Sequence, residues 1–405
     1  MACPLLRQCS KWNANCSSLF ETLWYSNGRS VSFSTSSLGR TSWSSGPGNE
    51  GQPSALRRRT GPNTFNFTTS LTRHKPRLLD PSLKSCFCIN SAHTDVKVQD
   101  PFTIAQKDLT NLYDDIRKEL FVTKELKALC HYYFDGKGKA IRPMIVVLMA
   151  RALNSHSNRS GELLPGQRAV AMITEMIHTA SLGTINELWG EKKAILAGDF
   201  ILSVASITMA RIGNNTVVKV FSQVIEDLVR GEFMQLGSKE NENERFKHYL
   251  EKTFKKTASL IANSCKAVCV LVSSDPKVHE IAYQYGKNVG IAFQLVDDVL
   301  DFTSGANHLG KPSAADLKLG LATGPVLFAC QEFPELHSMI MRRFSSKGDV
   351  DRAWQYVFQS DGVEQTKNLA QHYCQEAIRQ ISMLRPSAER DALIRLTEMV
   401  LTRDK

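Results

Sequence analysis

An all-α fold is what this sequence predicts, and three observations carry that expectation. From about residue 100 onward apolar residues recur with the helical period, and almost no strand alternation is found. Segments 194–210 and 258–272 are apolar nearly all round, the pattern of helices at the centre of a bundle. Helix punctuation agrees: Asp275-Pro276 reads as a cap followed by a first-turn proline, and Pro143 fits a first turn. One all-α domain over residues 100–405 follows, with no internal repeat of fixed period. A chain of 405 residues that is 42% hydrophobic and 22% charged has ample material for a large core.

Residues 1–90 stand apart. They carry 11 Lys and Arg against 3 Asp and Glu, whereas the remainder carries 39 against 37, so the net charge of +10 is concentrated at the start. A Ser-rich, Arg-rich, acid-poor segment that includes Arg57-Arg58-Arg59 reads as a mitochondrial transit peptide and a disordered spacer. Its opening lacks an apolar run long enough for a secretory signal. No stretch of the chain approaches the roughly 20 uninterrupted apolar residues of a membrane span. The near-neutral remainder argues against a broad nucleic-acid footprint. Of the ten cysteines, Cys265 and Cys269 share a helix face, but no His or second Cys pair completes a zinc pattern. Buried thiols in a reducing compartment are expected.

In chain order, helices are expected over 103–120, 123–134, 143–154, 166–182, 187–212, 215–236, 244–273, 276–303, 322–343 and 351–401, the last broken near Ser360-Asp361-Gly362 and Pro386. Several carry chemistry. Gly136-Lys137-Gly138-Lys139-Ala140-Ile141-Arg142-Pro143 opens the third of them. Glycines let the backbone approach an anion, the helix start adds partial positive charge, and Lys139 and Arg142 can meet a diphosphate together. His178 ends the fourth helix within Glu175-Met176-Ile177-His178-Thr179-Ala180-Ser181-Leu182, and Lys256-Thr257 lie against an apolar helix.

Phe293-Gln294-Leu295-Val296-Asp297-Asp298-Val299-Leu300-Asp301 sets three carboxylates on an otherwise apolar helical stretch. Asp297 and Asp301 are four apart and project together, with Gln294 one turn earlier on that face and Asp298 about 100° round the helix. Like charges at this spacing repel unless a cation or a solvated cleft receives them, and hard oxygen ligands suit Mg²⁺. A solvated acidic stripe is the plain alternative. Downstream come Gly310-Lys311-Pro312 and then Asp316.

The joint order of basic loop, His, Lys-Thr, Gln-x-x-Asp-Asp-x-x-Asp and Gly-Lys resembles the trans-polyprenyl diphosphate synthase family over roughly residues 100–405, and in particular its mitochondrial members that make the ubiquinone side chain. The resemblance implies an isoprenoid synthase helical bundle that condenses isopentenyl diphosphate onto an allylic diphosphate, farnesyl or geranylgeranyl, with Mg²⁺ stabilising the departing pyrophosphate. It further implies roles by position. Lys139, Arg142 and His178 fall at the isopentenyl diphosphate site, and Lys256, Thr257 and Gln294 at the allylic substrate. Lys311 adds charge to the same pocket. Asp297, Asp298 and Asp301 fall at the metal, with Lys256 and Asp297 as the catalytic candidates. A dimer, with a second, different subunit or a second copy, is implied as well. Release of a very long isoprenoid is compatible with peripheral contact at the inner membrane from the matrix side. Small residues at Ala180 and Ser181 resemble long-chain members.

The family pattern fails at one place. The family follows this His-Thr-Ala-Ser-Leu segment with a first DDxxD motif and an arginine pair; here Leu182 runs into Gly183-Thr184-Ile185-Asn186-Glu187-Leu188-Trp189, and the likeness resumes at Trp189. No acidic pair substitutes, since Glu175 is expected to point from an earlier turn and Glu187 is isolated. Four peptide steps from Leu182 to Asn186 span at most roughly 14 Å, so the flanking helix ends must lie close together. Family-like sequence on both sides fits a clean excision, as in a splice form or an imperfect gene model. Losing one preorganised electrostatic element of an active site costs roughly 10²–10³ in rate, so little chain elongation by this polypeptide alone is expected. A milder departure puts Leu319 and Leu321 where many relatives carry Glu and Lys. Two other readings were weighed: a non-catalytic partner subunit, which needs no first motif, and a terpene cyclase, for which the late Asn-Ser/Thr-Glu motif is not found.

Overall fold

A computed structural model describes residues 100–120, 132–134, 138–181, 190–236, 241–303 and 314–403. Among them every regular element is helical, as the periodicity predicts. In order these are α1 (Pro101–Thr110), α2 (Leu112–Glu119), α3 (Ile141–His156), α4 (Pro165–Ala180), α5 (Glu191–Arg211), α6 (Asn215–Leu236) and α7 (Glu242–Thr253). A widened π turn (Phe254–Ala258) then leads into α8 (Ser259–Val270). The rest are α9 (Pro276–Thr303), α10 (Ala315–Lys318), α11 (Gly324–Glu332), α12 (Glu335–Met341), α13 (Asp349–Gln359), α14 (Gly362–Ile381) and α15 (Ala388–Thr402). The transit-peptide and spacer segment, Cys130, Lys311 and the shortened joint at 182–189 lie outside the described residues.

Local chemistry sets the ends. Asp100 caps α1 by accepting from the Thr103 amide at 3.1 Å, with Pro101 in the first turn. Asp275 accepts from the Lys277 amide at 2.9 Å and Pro276 opens α9, as expected. α6 and α9 begin and end where the sequence places them. Two expected helices are interrupted: 103–120 breaks at Asn111, and 322–343 breaks at Phe333-Pro334, where a proline ring cannot continue the ladder. Within 244–273 the break is subtler, an i→i+5 turn that leaves the rod unbroken.

α9 is the axis of the fold and packs against both α8 and α14. Its buried set, from Val278 and Ala282 through Val289 to Leu295, Val299 and Phe302, occupies almost every face. Two apolar clusters meet along it. One gathers α1–α6, most of α8, the first half of α9, the end of α14 and most of α15; the other gathers Tyr249, Ala258, the second half of α9, α10–α13 and the middle of α14. The boundary falls between Ala258 and Leu260 on one rod and between Val289 and Ile291 on the other.

α5 corrects one expectation. Lys192–Arg211 is long and apolar enough by composition to cross a membrane, which the search for an uninterrupted apolar run missed. Asp199 stands in its middle, and it packs along α4 with Ile201, Val204, Ala205 and Met209 buried. That packing gives part of the apolar face an intramolecular use, while Leu196 and Ile207 stay exposed. Cys265, Cys269, Cys330 and Cys374 are buried and outside any disulfide, as expected.

Candidate functional site

Two walls face one another across the cluster boundary. The first is cationic. Residues 138–140 lead into α3, and the left-handed conformation the turn requires falls on Ala140 (φ 47°, ψ 33°), not on glycine. That conformation costs a non-glycine residue about 1 kcal/mol or more, and it turns Lys139 and Arg142 toward a cleft of about 170 Å³. Tyr113, Glu175, His178, Ile261 and Phe293 line the same cleft. Arg142 Nη1 lies 3.0 Å from His178 Nε2. Burial, and then the Arg142 charge, push His178 down to about 3, so its imidazole is neutral at physiological pH.

Glu175, one turn before His178 as expected, also belongs to this wall. It accepts a 3.1 Å hydrogen bond from the Tyr113 hydroxyl; burial pushes its carboxyl up, while Tyr113 and Arg142 draw it down. The signal was present in the sequence, because Glu175 and His178 are three apart on one helix face. What spacing could not supply is α2, which brings Tyr113 in from another part of the chain.

The second wall is the middle of α9 with the π turn, α7 and α10. Thr257 Oγ1 donates to Gln294 Oε1 at 2.9 Å, and Gln294 Nε2 donates to Asp298 Oδ1 at 2.9 Å. Gln294 thus sides with Asp298, four residues on, and not with Asp297 as expected. Asp298 is buried and also accepts from the Tyr249 hydroxyl at 2.5 Å. Burial pushes it up to about 6, opposed by those two bonds. Asp301 accepts from the backbone amides of Ala315 and Asp316 at 3.0 and 3.1 Å, starting α10. Asp297 Oδ1 is 2.6 Å from Arg403, whose guanidinium lies 3.7 Å over the Phe293 ring. Burial raises the Asp297 carboxyl, and Arg403 and Arg142 oppose the rise.

Lysines answer these acids. Lys256 Nζ is 2.7 Å from Gln235 Oε1 and 3.0 Å from Glu232. Lys252, one turn earlier, is pushed down by burial and favoured in its charged form first by Asp298 and also by Asp316 and Glu232. Asp316 is pushed up by burial and by the Asp301 and Asp297 charges, with Lys252 and Lys256 opposing. Sequence reasoning passed over Glu232, Gln235, Tyr249, Lys252 and Arg403. Lys252 could have been found four residues before Lys256; nothing local marks Arg403.

Magnesium fits this wall in kind. Among the described residues no three acidic, His or Cys side chains are gathered to cage an ion by themselves. The mutual repulsion of Asp297, Asp301 and Asp316 nevertheless leaves negative charge facing the lysines. A hard cation that takes one or two carboxylates and completes its shell with water and substrate phosphate suits such a wall.

The arrangement is similar to known proteins. The family model described as polyprenyl synthetase matches residues 123–184 and 183–357, two stretches that meet at Gly183-Thr184. The all-trans-polyprenyl-diphosphate synthase of Homo sapiens is 69% identical over 332 residues, covering 78% of this chain and 80% of that protein. Decaprenyl-diphosphate synthase subunit 1 of Schizosaccharomyces pombe is 40% identical over 343 residues, covering 75% and 91%. The solved polyprenyl synthase of Caulobacter crescentus, in complex with calcium and isoprenyl diphosphate, superposes with a TM-score of 0.67 at 26% identity, covering 77% of this chain and all of that one.

Proposed function

The chain belongs to the polyprenyl synthetase family, and we propose that it is a long-chain trans-polyprenyl diphosphate synthase subunit for the ubiquinone side chain whose own elongating activity is curtailed by the absence of the first aspartate motif. One observation supports the site: Arg142, which lines the cationic cleft with Lys139, His178 and Phe293, lies close enough to Asp297, one turn beyond Phe293 on α9, for the two to influence each other's charge. Isopentenyl diphosphate lies against Lys139 and Arg142, where a bidentate guanidinium suits a phosphate oxygen pair. Neutral His178 keeps a ring nitrogen toward Arg142 and orients it. Lys256, Thr257 and Gln294 meet the allylic diphosphate, and Lys256 offsets charge on the oxygen that leaves. When bound, Mg²⁺ supplies Lewis-acid stabilisation of the departing pyrophosphate, with Asp297, Asp298 and Asp301 as the residues that would hold it. Breaking Asp298 away from Tyr249 and Gln294, and Asp297 from Arg403, is the cost the apo arrangement sets on loading. Lys311 is assigned to the same pocket on its motif position.

The curtailment is supported by the sequence between Leu182 and Trp189 and by the family match falling into two stretches that meet there. The test is direct. The purified chain, given Mg²⁺, farnesyl diphosphate and radiolabelled isopentenyl diphosphate, should make little product. The same chain carrying a complete relative's segment between Leu182 and Trp189 should make long polyprenyl diphosphate. Full turnover by the unmodified chain removes the curtailment, and no turnover after repair removes the site assignment.

The missing segment also favours a second reading, a non-catalytic subunit that pairs with a complete one. The name of the fission-yeast relative, a numbered subunit, supports a partner of the same fold, and the acid-poor N-terminal segment supports mitochondrial import. Co-expression with a complete subunit should yield a stable mixed oligomer in pull-down; an insoluble chain in both settings argues against the partner role.

A further inference from the structure

Lys256 and Thr257 owe their placement to the π turn, and the turn has a keeper. The two residues on its other side, Lys255 and Ser259, both converge on Asp227 of α6. Lys255 Nζ lies 3.0 Å from Asp227 Oδ1, and Ser259 Oγ donates to Asp227 Oδ2 at 2.6 Å. Asn263 Nδ2 in turn lies 3.1 Å from Ser259 Oγ, and Gln223 Nε2 lies 3.3 Å from Asp227 Oδ1. Asp227 is 4% exposed, so this is a buried, fully partnered carboxylate away from the cleft. One turn along α6, Gly231 lies against the Lys256 backbone so closely that a Cβ there would sit 3.0 Å from the Lys256 nitrogen. Across the turn, a Cβ on Gly290 would sit 2.6 Å from Ala258 Cα. The widened turn is therefore gripped by α6 on one side and α9 on the other.

We infer that Asp227 is a positioning residue for diphosphate binding: it staples Lys255 and Ser259 across the π turn and so aims Lys256 and Thr257 at the cleft. Extra width in one helical turn is costly without outside contacts, and such turns concentrate at functional sites. In a regular helix the side chains of Lys252 and Lys256 would stack four apart on one face. Here Lys256 instead reaches Glu232 and Gln235 on α6, and Thr257 reaches Gln294 on α9. Without the staple the turn relaxes toward ordinary helix, and both groups swing off their partners.

The inference rests on the reading that Lys256 meets a diphosphate, and a double-mutant cycle separates the two. Binding of inorganic pyrophosphate with Mg²⁺ to the full chain is measured by calorimetry, which needs no turnover. Asp227→Ala should weaken binding roughly tenfold, the scale of one hydrogen bond to a charged group, and Lys256→Ala should weaken it similarly. Because Asp227 acts in part through Lys256, the combined variant should lose less affinity than the product of the two single losses. Unchanged affinity in Asp227→Ala, or losses that multiply, overturns the positioning role. Wild-type affinity in Lys256→Ala overturns the site reading itself. If Asp227→Ala strands Lys255 and fails to fold, Asp227→Leu with Lys255→Met removes both charges together, and the same cycle against Lys256→Ala decides the matter.

Discussion

At the scale of single residues, His178 shows how packing sets chemistry. Its imidazole belongs to the helix end, but its neutrality belongs to burial and to Arg142 beside it. The consequence for stability has a definite sign. A histidine normally near 6.5 that is held at about 3 in the folded state binds its proton only when the chain unfolds. Its contribution is complete above pH 6.5 and is lost as pH falls toward 3, by up to about 1.4 kcal/mol per pH unit. We expect His178→Gln to remove that slope, so that urea midpoints of the two proteins diverge progressively below pH 6.5; parallel curves would show that His178 takes up its proton while folded. Arg403 makes the opposite kind of point. It holds the Asp297 carboxylate and the Phe293 carbonyl together. Arg403→Ala should lower the Mg²⁺ concentration needed for pyrophosphate binding severalfold, by freeing Asp297. Titration of Mg²⁺ at fixed pyrophosphate reads that directly, and a weaker requirement for the arginine-bearing protein would contradict it.

Among the elements, the seam of close backbone approaches around the π turn carries the most consequence. A methyl on Gly290 meets Ala258 at 2.6 Å and one on Gly286 meets Ala262 at 2.8 Å, and both obstacles include backbone atoms that cannot rotate away. Gly290→Ala should therefore destabilise by about 1–3 kcal/mol, seen as a lowered urea midpoint, and should also weaken pyrophosphate binding because the obstacle adjoins Thr257. Gly213→Ala, also glycine to alanine but with nothing within 4 Å of the new carbon, should lose stability only through its φ of +69° and leave pyrophosphate binding unchanged. How far such features are legible in sequence follows from their cause. α6 and α9 were bounded correctly because their ends are written in local chemistry, such as Asp275 and Pro276. The π turn was not, because Phe-Lys-Lys-Thr-Ala suits a plain helix and its widening comes from Gly231, Asp227 and Gly290 far away in sequence. Glu175 shows the same limit: its turn of the helix is readable from spacing, but its neighbour Tyr113 is not. Lys256, Thr257, Gln294 and the aspartates were found together because their order along the chain is itself distinctive.

For the whole molecule, two apolar clusters meet where the two charged walls meet, so ligand that spans the walls also ties the clusters. Pyrophosphate with Mg²⁺ at a hundredfold excess over its dissociation constant should stabilise the fold by about 2.7 kcal/mol, visible as a raised melting temperature. Asp297→Asn with Asp301→Asn should abolish the increment while leaving the ligand-free protein folded; an unchanged increment would place the metal elsewhere. The all-helical architecture is visible in the helical periodicity and the family through the resemblance of its motif order, whereas the division of the core is not, since both clusters draw on the same apolar residue types. The widened turn sits on that division, and it holds one residue more than a plain helical turn needs. Deleting a single codon within 254–258 would remove that residue and let the rod regularise with everything beyond it kept in phase, whereas the same deletion in a plain turn of α6 or α9 turns everything beyond it by about 100°. Inheritance of such a one-residue loss would leave the halves of the core in register and be felt locally, in where Lys256 and Thr257 point.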